Sequence, residues 1–71
     1  MTMSSTPRQL AMRLKRERKA QKLSQYALAK KAGISREYVR KLETGKYDPT
    51  VGMLQRLAKA LGVPVTELLE G

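Results

Sequence analysis

Three glycines set the frame for this chain. Gly33, Gly45 and Gly62 each stand just past a short stretch with helical apolar spacing, while Ser24, Ser35 and Thr50 each stand just ahead of one. Glycine ends a helix at little cost by turning left-handed, and Ser or Thr opens one by accepting a hydrogen bond from a first-turn N–H. A chain punctuated this often cannot form the single uninterrupted amphipathic helix of a membrane-lytic peptide. It is predicted to be a bundle of short helices.

The segments follow from the punctuation. Pro7 suits a helix N-terminus, and Leu10, Ala11 and Leu14 fall at helical spacing in a first helix running to about residue 21. Gln21 and Lys22 form its exit, and Leu23 anchors the chain. A second helix, Gln25 to Ala32, turns Ala27, Leu28 and Ala32 inward. Ile34 plugs the turn, and a third helix from Ser35 to about Thr44 buries Val39 and Leu42. After a loop, Lys46 to Pro49, Thr50 caps a fourth helix with the stripe Val51, Leu54, Leu57, Ala58 and Leu61. Pro64 opens a last short helix carrying Val65, Leu68 and Leu69. The expected architecture is all-α: a compact five-helix domain over residues 7–71 behind a disordered tail, residues 1–6.

Composition narrows the function. The 71 residues include no Cys and no His, which removes disulfides, thiolate metal sites and the commonest general base, so no enzyme, metal or cofactor is expected. So small a domain, lacking staples, is stabilised by tight helix packing or by dimerisation. No apolar run approaches a membrane span and no signal-peptide core is present, so a cytoplasmic protein with no membrane partner is expected. The net charge is +9, unevenly spread: residues 1–22 carry seven Lys or Arg against one Glu, and residues 50–71 carry two against two. A basic body with a neutral end suits a polyanion on one face and another partner elsewhere.

The segment 24–44 carries the information. Two short helices joined by a glycine-containing turn make a helix-turn-helix plan, and the B-DNA major groove, about 12 Å wide, admits one such helix. The third helix keeps Val39 and Leu42 for its own protein and leaves Arg36, Glu37, Arg40, Lys41 and Thr44 on the remaining arc. Arg and Lys match guanine O6 and N7, and Glu accepts from cytosine N4. The run Leu23 to Ser35, with Leu42-Glu43-Thr44-Gly45-Lys46, Pro49 and Leu54 through Val63, resembles the xenobiotic-response-element, Cro/CI-type (lambda-repressor-like) helix-turn-helix family over roughly residues 10–69. Glu17, at a position often apolar in that family, and Tyr47, where small polar or basic residues are common, depart from its pattern.

The resemblance implies a sequence-specific DNA-binding domain, commonly a homodimer on a palindromic operator. Carried over, it implies base contacts from Ser35, Arg36, Glu37 and Lys41, and DNA-backbone contacts from Ser24, Gln25, Tyr38, Arg40, Lys46 and Tyr47. It also implies a structural ion pair between Arg18 and Glu43. Among the cations of the first helix, Arg16 is the expected phosphate contact. Tyr26 is expected to pack rather than meet a phosphate. Val63, Val65, Leu68 and Leu69, in the neutral segment 62–71, form the expected dimer interface. The function expected is that of a transcriptional repressor binding double-stranded DNA, with no small-molecule ligand. The alternatives are a restriction–modification controller, an antitoxin or other protein-interaction module, and a non-specific nucleoid-style binder.

Overall fold

The computed structural model describes residues 6–69 and contains, among them, five helices and no strand: α1 (Pro7–Ala20), α2 (Gln25–Ala32), α3 (Arg36–Glu43), α4 (Val51–Leu61) and α5 (Val65–Leu69). Four helix starts are capped as the hydroxyl pattern requires. Ser24, Ser35 and Thr50 accept from the N–H groups of Ala27, Tyr38 and Met53, at 2.9, 3.0 and 3.2 Å. The fourth cap corrects the expected tail. Thr6 accepts from the Gln9 N–H, and the Gln9 side chain accepts from the Thr6 N–H, a reciprocal capping box that makes Thr6 part of α1. The rest of the expected tail, residues 1–5, lies outside the described residues, as do 70–71.

The core is built from Leu10 and Leu14 of α1, Leu28, Ala29 and Ala32 of α2, Val39 and Leu42 of α3, Leu54, Leu57, Ala58 and Leu61 of α4, and Leu68 of α5. Two inward assignments shift. Ala29 rather than Ala27 is buried in α2, and Val51, at 69% exposure, lies outside the α4 stripe. It occupies the first residue of α4, ahead of the turn that docks on the core.

The close approach of α1 to the end of α3 depends on Gly45. Its φ is +83°, and a Cβ there would stand 3.3 Å from the Arg8 Cα, a backbone atom with little room to yield. Gly45→Ala is therefore expected to cost about 1–2 kcal/mol from the left-handed conformation alone, more with the clash. Urea denaturation checks this, and a loss below about 0.5 kcal/mol would contradict the strained geometry.

Candidate nucleic-acid interface

The outer surface of α3 is set by what its inner surface buries. Val39 and Leu42 are in the core and Glu43 is buried beside them, which leaves Arg36, Glu37, Arg40, Lys41 and Thr44 exposed on the opposite arc. A helix repeats by about 100° per residue, so Glu37, two residues before Val39, lies near the middle of that arc and Arg40 at its edge. The Arg40 Nε donates to Glu37 Oε2 at 3.1 Å, and its Nη2 donates to the same oxygen at closer range. That hydrogen bond, reinforced by the charges of Arg40, Lys41 and Arg36, holds the Glu37 carboxyl below the usual carboxylate range against an opposing desolvation. The same bond raises the Arg40 guanidinium. Further along, the Lys41 ammonium lies 5.7 Å from the centre of the Tyr47 ring, tying the helix to the following loop. The Thr44 hydroxyl donates to the Lys41 carbonyl at 2.6 Å.

A buried polar network fixes α2 against α3. Arg18 donates from Nε to Glu43 Oε2 at 2.7 Å and from Nη2 to Oε1 at 2.9 Å, a two-pronged pairing between α1 and α3. Its Nη1 donates to the Leu23 carbonyl at 2.7 Å, which holds the α1–α2 turn. Lys22 reaches that turn with φ +58°, a left-handed conformation rare outside glycine. Gln25 Nε2 then donates to Glu43 Oε1 at 3.1 Å. Gln25 thus spends one amide donor inside the network, so the side chain expected only at phosphate also locks the start of α2 to α3. Ser24 stands beside it, exposed, its oxygen accepting from the Ala27 N–H of α2. Lys46 is exposed in the loop after α3.

Several expected contacts move. Arg16 lies about 200° around α1 from the fully buried Leu14 and groups with Gln9, Met12 and Arg13 on the outer face of α1, away from α3. The α1 cations that flank α3 are instead Arg8 and Lys15, which line a groove with Glu43, Thr44 and Gly45. The signal was present in the 8-11-15-18 spacing, which puts both on the face of Arg18. The tyrosines differ from the expectation in burial. Tyr38 is half-buried against the core, whereas Tyr26, beside the α2 N-terminus, is 58% exposed. Tyr26 precedes the buried Leu28 by two residues, which is enough to place it on the far face. At the C-terminal end Leu68 is fully buried within its own chain, so it cannot face a second copy. Of the expected interface, Val63, Val65 and Leu69 remain half-buried against the core edge.

This geometry agrees with the kinship of the sequence. The helix-turn-helix family profile matches residues 14–68. The chain belongs to the Cro/CI-type helix-turn-helix family. The matched region, with α2 and α3 at its centre, is thereby a DNA-binding domain of transcriptional regulators. It is 38% identical over 60 residues to the immunity repressor of Bacillus phage phi105, spanning 84% of this chain but only 42% of that repressor. It is 39% identical over 56 residues to an HTH-type transcriptional regulator of Methanocaldococcus jannaschii, covering 79% of this chain and 85% of the relative. In three dimensions it is similar to the restriction–modification controller C.AhdI of Aeromonas hydrophila, with TM-score 0.85, 34% identity, and coverage of 87% and 94% of the two chains. Among the described residues, no helix of this helix-turn-helix domain is long and apolar enough to cross a membrane, and no group of three His, Cys, Asp or Glu could hold a metal ion.

Proposed function

We propose that the protein is a homodimeric transcriptional repressor that reads a palindromic operator by laying α3 in the major groove. One observation carries this reading: α3 exposes Arg36, Glu37 and Lys41 while Glu43, at the border of its buried face, is locked to Arg18 and Gln25. The readers are therefore mounted on a helix whose orientation to the α2 N-terminus is fixed. Ser35, Arg36, Glu37 and Lys41 take base edges. Ser24, Gln25, Lys46, Tyr47, Tyr26, Arg8 and Lys15 take the phosphate backbone, where a helix N-terminus also favours negative charge. Val63, Val65 and Leu69 meet their counterparts across a twofold axis, where the chain carries no net charge to oppose pairing. Two recognition helices then reach half-sites about 10 base pairs apart, and the occupied operator excludes polymerase. Such a protein works in the cytoplasm, where the DNA is.

Selection of duplexes from a random library at about 150 mM salt is the test, because charge alone dominates at lower salt. An inverted repeat with half-sites one turn apart is expected. A single half-site would remove the dimer, and no enrichment would remove the sequence-specific reader. On the selected site, Arg36→Ala and Lys41→Ala are each expected to relax preference at particular base pairs by about 1–3 kcal/mol, read by competition binding. Equal weakening on all sequences would assign them to phosphate instead.

The likeness to C.AhdI over nearly the whole of that controller favours a second reading, in which the regulated gene is that of a restriction enzyme. A restriction–methylation gene pair beside the selected operator would decide for it.

A further inference from the structure

The ion pair on α3 joins two residues that stand differently on the helix. Glu37 lies mid-arc, diametrically away from Val39 and Leu42, where a helix in the groove meets the bases. Arg40 lies at the edge of the arc, where it meets the groove wall. Yet Arg40 is turned inward: both its Nε and its Nη2 donate to one oxygen, Oε2, of Glu37. The other oxygen, Oε1, accepts no hydrogen bond among the described residues. We propose that Arg40 is a positioning residue for Glu37, holding that carboxylate with Oε1 toward the base edges, so that Glu37 selects a base pair presenting an amino donor such as cytosine N4–H.

Two physical problems of a carboxylate in the groove are met by this arrangement. The groove lies between two strands of phosphates, so an unpaired Glu37 would be repelled, and the Arg40 guanidinium cancels its charge at contact. A free glutamate also samples many rotamers, and a fork of two donors on one oxygen removes most of them. The carboxyl stays ionised because its proton affinity is lowered by the same bond. An ionised carboxylate only accepts, so it matches the amino groups of cytosine and adenine and opposes the carbonyl oxygens of guanine and thymine. Arg40 thereby leaves the set of phosphate contacts in which the sequence pattern placed it.

The inference rests on the groove reading of α3, and its test separates the two. The operator is first selected with the unaltered protein. Arg40→Ala, Glu37→Ala and the double variant are then compared by competition binding at every position of the half-site, and by the salt dependence of binding. Both residues are more than half exposed, so all three variants keep the fold, which a thermal melt verifies. Arg40→Ala and Glu37→Ala are each expected to lose roughly tenfold discrimination at the same base pair, and the double variant no more than either. Arg40→Ala also leaves the Glu37 charge unpaired between the phosphates and so weakens binding to every site. Glu37→Ala should instead steepen the salt slope by about one, the released Arg40 turning to phosphate. Arg40→Ala that keeps full discrimination at that base pair, or unchanged preference in Glu37→Ala, would overturn the proposal while leaving the groove reading in place. Failure of the unaltered protein to select any site would overturn both.

Discussion

Arg18→Ala is expected to lower stability by about 3–5 kcal/mol, enough to leave little folded protein at ambient temperature. The reason is the carboxylate left behind. Glu43 has only 3% of its side chain exposed, and two of its three donors, at 2.7 and 2.9 Å, come from Arg18. With Arg18 truncated, only the Gln25 amide at 3.1 Å remains to solvate a buried charge. The α1–α2 turn also loses the donor to the Leu23 carbonyl, in a segment already bent through the left-handed Lys22. A domain of this size has on the order of 4–10 kcal/mol in total, so the variant sits near its unfolding midpoint without denaturant. Urea melts of Arg18→Ala, Glu43→Ala and the apolar double variant Arg18→Met with Glu43→Leu provide the check. The double variant should recover much of the loss, because replacing both partners removes the desolvation that the pair had to offset. A single-variant loss below about 1 kcal/mol would give the pair the modest worth of a surface ion pair.

The same network explains how the reading helix is held. Arg18 belongs to α1, Leu23 to the turn, Gln25 to α2 and Glu43 to α3, so the Arg18–Glu43 pair joins every element that orients the exposed arc. A conservative Glu43→Gln change keeps the shape and loses the charge. It should cost less stability than Glu43→Ala, which also opens a space beside Leu42.

What the sequence made legible, and what it hid, follows from the range of the forces involved. Helix ends are local events, and Ser24, Ser35, Thr50, Gly33 and Gly62 announced them within a residue or two. Thr6 was missed because a polar run of small residues reads as a tail until Gln9, three residues on, is recognised as its reciprocal partner. Val51 was drawn inward by spacing alone, but the first residue of a helix precedes the part that docks. Arg8 and Lys15, rather than Arg16, flank α3, and their spacing with Ala11 and Arg18 marks the face turned toward it. The Arg40–Glu37 and Lys41–Tyr47 pairs depend on rotamers that several neighbours compete for, and periodicity carries no information about that choice. The reversal of Tyr26 and Tyr38 has the same lesson at residue scale: which tyrosine packs is decided by its angle from Leu28 or Val39, not by its aromatic character.

Leu68→Ala is expected to cost about 2–5 kcal/mol, a loss that raising the protein concentration does not restore. Helix α5 is five residues long and cannot persist by itself. It is held by Leu68, fully enclosed between α1 and α4, and by the Arg13 side chain donating to the Leu69 carbonyl. Truncating Leu68 leaves a cavity inside the protomer and frees the helix that carries Val65 and Leu69. The proposed dimerisation would then fail as a consequence of local unfolding rather than through loss of a contact. Val65→Lys distinguishes the two, since Val65 is half-buried at the edge and its polar head can reach water. It should lower the protomer's stability by less than Leu68→Ala while shifting sedimentation toward monomer. A Leu68→Ala melting temperature that rises with concentration and meets the unaltered value at high protein would place Leu68 across the twofold axis, because only an interface contact can be restored by mass action.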